Sequence, residues 1–154
     1  MPYKLDTETQ VFFYEQEFYV LSNFSAFQLY WKGQTFMTSE HAYHCEKFPG
    51  RVSHIRDAIR SAPSAHEALQ VARRHEMSVR SDWSLIRVDI MKQILRAKAD
   101  QHEYVKRKLL ETGERELVED SWRDNFWGWG KDRKGQNMLG KLWMEIRAEL
   151  HHAQ

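Results

Sequence analysis

From Thr38 to Leu110 apolar residues recur every three or four positions, and this period, more than any single motif, limits the chain to a helical class of fold. Trp83, Arg87, Ile90, Met91, Ile94, Leu95 and Lys98 lie along one stripe of what the spacing predicts as the longest helix, beginning near Ser81 or Asp82. Upstream, Thr38 or Ser39 is placed to cap a helix with Glu40 in its first turn, where the helix dipole favours a carboxylate, and Gly50 is placed to end it. Val52, Ile55 and Ile59 share a face up to Pro63, and Ser64 with Glu67 makes a capping box ahead of Ala65, Ala68, Leu69 and Ala72. Tyr104, Val105, Leu109 and Leu110 predict a further helix closed by Gly113, and Met138, Leu142, Ile146 and Leu150 one side of a last helix from about Asn137 to Leu150.

Extended patterns are few. Val11 to Tyr14 is aromatic and β-rich, Leu29–Trp31 is joined through Lys32-Gly33 to Gln34–Met37 as in a hairpin, and Glu116–Glu119 fits either a short strand or a loop. The expected architecture is mainly α, a single compact helical domain over residues 1–154 with its core at about 11–150 and short β-strands near its start. A length of 154 residues with 42% hydrophobic content suits one core and is short for two.

Charge removes several functional classes. With 23 basic and 22 acidic side chains the net charge is +1, so no broad field of one sign gathers polyanions or anionic lipid. No run of about eighteen apolar residues suits a membrane span, and Met1 to Asp6 lack the apolar core of a signal peptide, so a cytoplasmic location is expected. Cys45 is the sole cysteine, which excludes an internal disulfide and a multi-thiolate zinc site and makes it a small buried hydrophobe.

The richest chemistry sits late in the chain, in D-N-F-W-G-W-G-K-D-R-K-G-Q-N-M-L-G-K, where Asp124, Trp127, Gly128, Gly130, Gly135, Asn137 and Gly140 crowd into one loop before a helix. Glycines let backbone N–H groups approach a phosphate or ribose, and indoles offer flat faces for a base, so the segment reads as a ligand loop. Asp124 either caps a turn there or serves the ligand, and Trp127 is either a packing lid or a stacking surface. A nucleotide P-loop is excluded, because Leu142 stands at the Ser/Thr position after Gly140-Lys141.

Glu40, Tyr43, His44 and Lys47 fall at i, i+3, i+4 and i+7 on one helical face. Spacing alone favours a solvated face with ordinary side-chain pairs. The alternative sets Glu40 in a pocket, its acidity tuned by burial against aromatic rings and by Lys47. His41 and His44 lack zincin spacing and a third ligand, so no metal site is expected, and His41 is expected to be a hydrogen-bonded, partly buried side chain. Spacing assigns Trp83 to the core.

Taken in order, L-S-N-F at Leu21 to Phe24, T-S-E-H at Thr38 to His41, Lys47-Phe48, Trp83, L-R-A-K at Leu95 to Lys98, L-V-E at Leu117 to Glu119, D-N-F-W-G at Asp124 to Gly128 and G-Q-N-M-L-G-K at Gly135 to Lys141 resemble the YbiA-like, or NADAR, domain family. The likeness runs from about Phe13 to Leu150. It implies a mostly α-helical fold and N-glycosidase activity without metal or cofactor, directed at phosphoribosylamino-pyrimidine intermediates of the riboflavin pathway. Carried over by the resemblance, Glu40, Trp83 and Asp124 are catalytic, and Asn23, Phe24, Tyr43, Lys47, Lys98, Trp127, Gly128, Gly130 and Asn137 line the substrate. The implied partner is a small phosphoribosyl or ADP-ribosyl molecule. Two alternatives stay open: removal of ADP-ribose from guanine, the one case that would involve nucleic acid, and a module that binds ADP-ribose or NAD without cleavage. His44 stands where the family pattern has glutamine, and Trp129 lies between two glycines where a small or acidic residue is usual, so both bear on which base or phosphate fits.

Overall fold

A computed structural model of the chain describes residues 6–14 and 16–153, with six α-helices and four strands of three residues each among them. The chain divides into two compact units, Asn23–His102 and the flanking pieces Met1–Ser22 with Glu103–Gln154.

Asn23–His102 begins with a hairpin of β2 (Leu29–Trp31) and β3 (Gln34–Phe36), in antiparallel register from Leu29 opposite Phe36 to Trp31 opposite Gln34. Lys32 and Gly33 both take positive φ, 48° and 82°, the paired left-handed conformation whose twist matches that of the flanking strands. Helix α1 (Ser39–Glu46) follows at once, and Thr38 is its N-cap, the hydroxyl accepting the His41 N–H at 3.2 Å. The helix stops at Lys47 rather than near Gly50, because Pro49 clashes with a helical conformation of Phe48. A 3₁₀ turn at Gly50–Val52 then leads into α2 (Ser53–Arg60), so Ile55 and Ile59 form the buried face and Val52 lies before the helix.

Ser64 caps α3 (Ala65–Arg74) through the Glu67 N–H, and the buried Ala65, Ala68 and Ala72 keep its inner face narrow. Helix α4 (Trp83–Gln101) is the longest, with Ile90, Met91, Ile94, Leu95, Lys98 and Ala99 buried. Trp83 is half-buried at its first turn, not in the core. Stripe spacing locates a face but not its depth, and the first turn of a helix ends where packing thins.

In the other unit, β1 (Gln10–Phe12) pairs in parallel with β4 (Glu116–Val118), so Glu116–Val118 is a strand. Helix α5 (Glu103–Glu111) precedes β4, and α6 (Met138–His152) closes the chain. Trp143 of α6 is fully buried, and its indole N–H donates to the Leu21 carbonyl at 2.8 Å, which satisfies the one polar atom that such a ring takes into a core. No helix among the described residues is long and apolar enough to cross a membrane.

Candidate functional site

Two groups of sequence-predicted residues are brought together, one in each unit. The first is built on α1. Glu40 lies in its first turn, with 9% of its surface exposed, and its backbone N–H donates to the Asn23 carbonyl at 3.2 Å. The Asn23 side chain accepts from Ser39 Oγ at 3.0 Å and donates to Met91 Sδ at 3.4 Å, so L-S-N-F braces the start of α1 against α4. Asn23, itself buried, thus holds Glu40 through its backbone carbonyl while its side-chain amide engages Ser39 and Met91.

The face that spacing assigned to solvent is buried: Tyr43 is 4% and His44 2% exposed. Helical periodicity reports which residues share a side, whereas the elements packed on that side decide whether it meets water. Tyr43 packs tilted against Trp83 at 5.2 Å between ring centroids and edge-on to His44 at 5.3 Å. The ammonium of the half-buried Lys47 sits 5.3 Å above the Tyr43 ring. The Arg80 N–H donates to the Lys47 carbonyl at 2.8 Å and the Trp83 N–H to the Arg80 carbonyl at 3.2 Å, which ties the start of α4 to the end of α1. Glu40, Tyr43, His44, Lys47 and Trp83 therefore form one acidic and aromatic cluster. His41, on another face, is fully buried and bonded to Thr38 Oγ1 at 2.7 Å and the Ala62 carbonyl at 3.0 Å, as expected of a structural histidine; burial lowers its pKa. Cys45 is buried too, which raises the pKa of its thiol.

Lys98 is fully buried on α4 and donates to Ser25 Oγ at 2.9 Å, with the Phe27 ring 5.4 Å from its ammonium. Burial in this apolar setting lowers its pKa to about 7, so near neutral pH a large share of the amine is uncharged. Ser25 carries no signal in the sequence as Lys98's partner, since the two are far apart in the chain. Phe24, in the same segment, is 39% exposed.

The second group is the loop from Glu119 to Asn137. Asp124 Oδ1 accepts the N–H groups of Phe126 and Trp127, both at 2.8 Å, so one oxygen holds the turn that carries Trp127. Trp127 is half-buried and edge-on to Phe126 at 4.8 Å. Backbone bonds then zip the loop onto itself: Asn137 N–H to the Gly128 carbonyl at 2.9 Å, Leu139 N–H to Trp127 at 3.0 Å and Gly135 N–H to Trp129 at 2.7 Å. The glycines serve this closure. A Cβ on Gly128 would come within 2.9 Å of the Asp124 and Glu119 carbonyl oxygens, and Gly130 has φ of +73° and donates its N–H to the Ser121 carbonyl.

Asn137 is buried in the left-handed region at φ 50°, and both ends of its side chain are engaged: Nδ2 donates to the Leu117 carbonyl of β4 and Oδ1 accepts the N–H of Glu119, just after that strand, each at 2.9 Å. It ties the loop to the strand. Trp129 donates its indole N–H to Asp120 at 2.6 Å and packs on Phe12 at 5.1 Å. Its role is therefore legible as loop packing. Beside it, Trp122, Arg123, Asn125, Gly130, Lys131 and Asp132 line an open depression of about 670 Å³. Among the described residues no three His, Cys, Asp or Glu side chains are grouped as a metal site.

The NADAR domain profile matches residues 12–151. N-glycosidase YbiA of Escherichia coli is 36% identical over 129 residues, covering 84% of this chain and 79% of that protein. A riboflavin biosynthesis protein of Vibrio vulnificus is 35% identical over 145 residues, which span 93% of this chain but 39% of its own length. The NMR structure of E. coli YbiA superposes with a TM-score of 0.85 at 33% identity, covering 97% of this chain and 89% of that one.

Proposed function

This chain belongs to the NADAR domain family, and from that membership we propose that it is a cytoplasmic N-glycosidase that hydrolyses the C–N bond between ribose and a nitrogenous base in a small phosphoribosylamino-pyrimidine. The names of its relatives, an N-glycosidase and a riboflavin biosynthesis protein, support the reaction and the substrate class. The single observation that carries the reading is Glu40, a carboxylate held at a helix start and buried beside Tyr43 and His44 in a cluster that also holds Trp83.

Cleaving the glycosidic bond leaves positive charge on the anomeric carbon, and a fixed carboxylate in a poorly hydrated setting stabilises that charge more strongly than one in water. Glu40 takes this role and orients the attacking water. Asp124, whose Oδ1 is committed to the loop, offers Oδ2 to the ribose hydroxyls or to the departing amine. Trp83 presents its ring to the heterocycle, Lys47 is the cation for the phosphate, and Trp127 is a site residue by the family resemblance. The remaining residues the resemblance assigns divide by what they touch: Asn23, Gly128, Gly130 and Asn137 hold the backbone that carries these groups, while Phe24 and Tyr43 supply aromatic lining.

Lys98 favours a second route. A buried amine with a pKa of about 7 can attack the anomeric carbon, where its new C–N bond replaces the one to the base and the base leaves with the proton the amine gives up; the ribose ring then opens to an imine on Lys98, and water hydrolyses that imine to release the sugar phosphate and restore the amine. Borohydride added during turnover reduces that imine to a stable secondary amine, visible as a mass adduct on Lys98; turnover without adduct removes this route.

Incubation with a phosphoribosylamino-pyrimidine, with ADP-ribosylated guanosine and with NAD tests the whole reading. The expected outcome is free base and ribose phosphate from the first. Product from the ADP-ribosylated base alone would move the substrate class to the family's other activity, and tight binding without product would make the chain a binding module.

A further inference from the structure

His44 is the one described residue whose buried polar side-chain atoms lack hydrogen-bond partners, at both Nδ1 and Nε2. Its side chain is 3% exposed. Nε2 lies 3.3 Å from Glu40 Oε2, close enough for charge to matter but without hydrogen-bond alignment. A buried imidazole left in this state costs free energy in the resting protein, and such groups mark places where a ligand or a proton completes the pairing.

We propose that His44 is a positioning residue for Glu40, whose charge state sets how much of the Glu40 carboxylate's negative charge reaches the substrate, and whose other ring nitrogen is completed by a polar group of the substrate. This rests on the reading of Glu40 given above. A neutral imidazole leaves the carboxylate's charge for the anomeric cation. An imidazolium at 3.3 Å neutralises it where it is needed. Activity therefore rises with pH as the imidazole loses its proton. A glutamine at this position is similar in reach and offers a donor and an acceptor, but it carries no charge at any pH, so the pH response is specific to the imidazole.

Arg60 and Asp57 of α2 act on Cys45, and other ionisable groups around α1 are engaged elsewhere. On the same helix, His41 is bonded to Thr38 and Ala62, Glu46 accepts from the Trp31 indole and Lys32, and Lys47 lies over Tyr43. On α2, Arg56 donates to the carbonyls of Cys45 and Phe48, and α3 turns the alanines Ala65, Ala68 and Ala72 inward. On α4, Lys98 donates to Ser25, and in the turn ahead of that helix Arg80 pairs with Asp82. The hairpin turn contributes Lys32, already paired with Glu46.

Two measurements test this. In the ligand-free protein, the ring titration of His44 followed by NMR should move to lower pH in Glu40→Gln, because removing a neighbouring negative charge disfavours the imidazolium; an unmoved titration overturns the proposal. In kcat/KM against pH with the phosphoribosylamino-pyrimidine, the wild type should show a rising limb that His44→Gln lacks. His44→Leu, which cannot hydrogen-bond, should lose about 100-fold, and His44→Gln should recover turnover to within about 10-fold at alkaline pH, in the range expected of general acid–base partners. Coincident profiles for wild type and His44→Gln overturn the inference while leaving Glu40 as the catalytic carboxylate. A coupled NMR titration in a protein that turns over none of the substrates sinks the proposed function and leaves the His44–Glu40 pair standing.

Discussion

The α1 cluster and the 119–137 loop both present a carboxylate beside an indole, yet they hold it in opposite ways. Glu40 is fixed through its backbone, by the Thr38 cap and the Asn23 carbonyl, and at ion-pair distance its carboxylate meets the His44 ring and no Lys or Arg among the described residues. Asp124 is fixed through its carboxylate, one oxygen of which holds two N–H groups of its own turn. Where position comes from a helix, a side chain is left for chemistry. Where position must come from the side chain itself, chemistry and folding draw on the same atoms, and a substitution disturbs both.

The largest effect that separates the two is expected from Glu40→Gln. It should keep the melting temperature near that of the wild type while lowering kcat by about 10²- to 10⁴-fold, and near-normal turnover would remove Glu40 from the mechanism. For Asp124 the contrast predicts a split. Asp124→Ala should cost about 1–3 kcal/mol of stability through two unsatisfied backbone donors, whereas Asp124→Asn should keep both bonds and stability yet still lose activity. If Asn restores activity as well, the residue is purely a turn cap.

Asn137→Ala sharpens the loop side further, since it removes the bonds to Leu117 and Glu119 at a left-handed position. A stability loss of about 1–3 kcal/mol in chemical denaturation is expected, with KM changed less than in Trp127→Ala. The smallest effect is a slope. Lys98 has a folded-state pKa of about 7, below its unfolded value of about 10.5, so between these values the unfolded chain binds the extra proton. Stability should therefore rise with pH across that window, by at most about 1.4 kcal/mol per pH unit, and level off below and above it. Lys98→Met should flatten the slope; an unchanged slope would mean that the amine is hydrated and charged.

Much of this was legible one element at a time. The caps at Thr38 and Ser64, the Lys32-Gly33 turn and the inner stripe of α4 follow from local chemistry, and each has the predicted place. The end of α1 was misplaced by a few residues because Pro49 acts on the residue before it, a nearer signal than Gly50. The loop glycines were legible as special positions but not as to purpose. Close approach of a backbone looks the same in sequence whether the visitor is a phosphate or, as at Gly128, the chain's own carbonyl oxygens.

What the sequence alone determined is the helical class, the ordering of motifs that identifies the family, and the identity of the acids and indoles, because period, capping and residue type are properties of neighbours along the chain. What only the tertiary structure decided is burial and partnership. That Glu40, Tyr43 and His44 share a face is written in their spacing; that the face is dry, that Asn23 holds Glu40 while Asn137 holds β4, and that both His44 nitrogens lack hydrogen-bond partners depend on which distant segments pack there. Charge states and reactivity follow from that packing, since removal of water, not residue type, sets how strongly a buried charge acts.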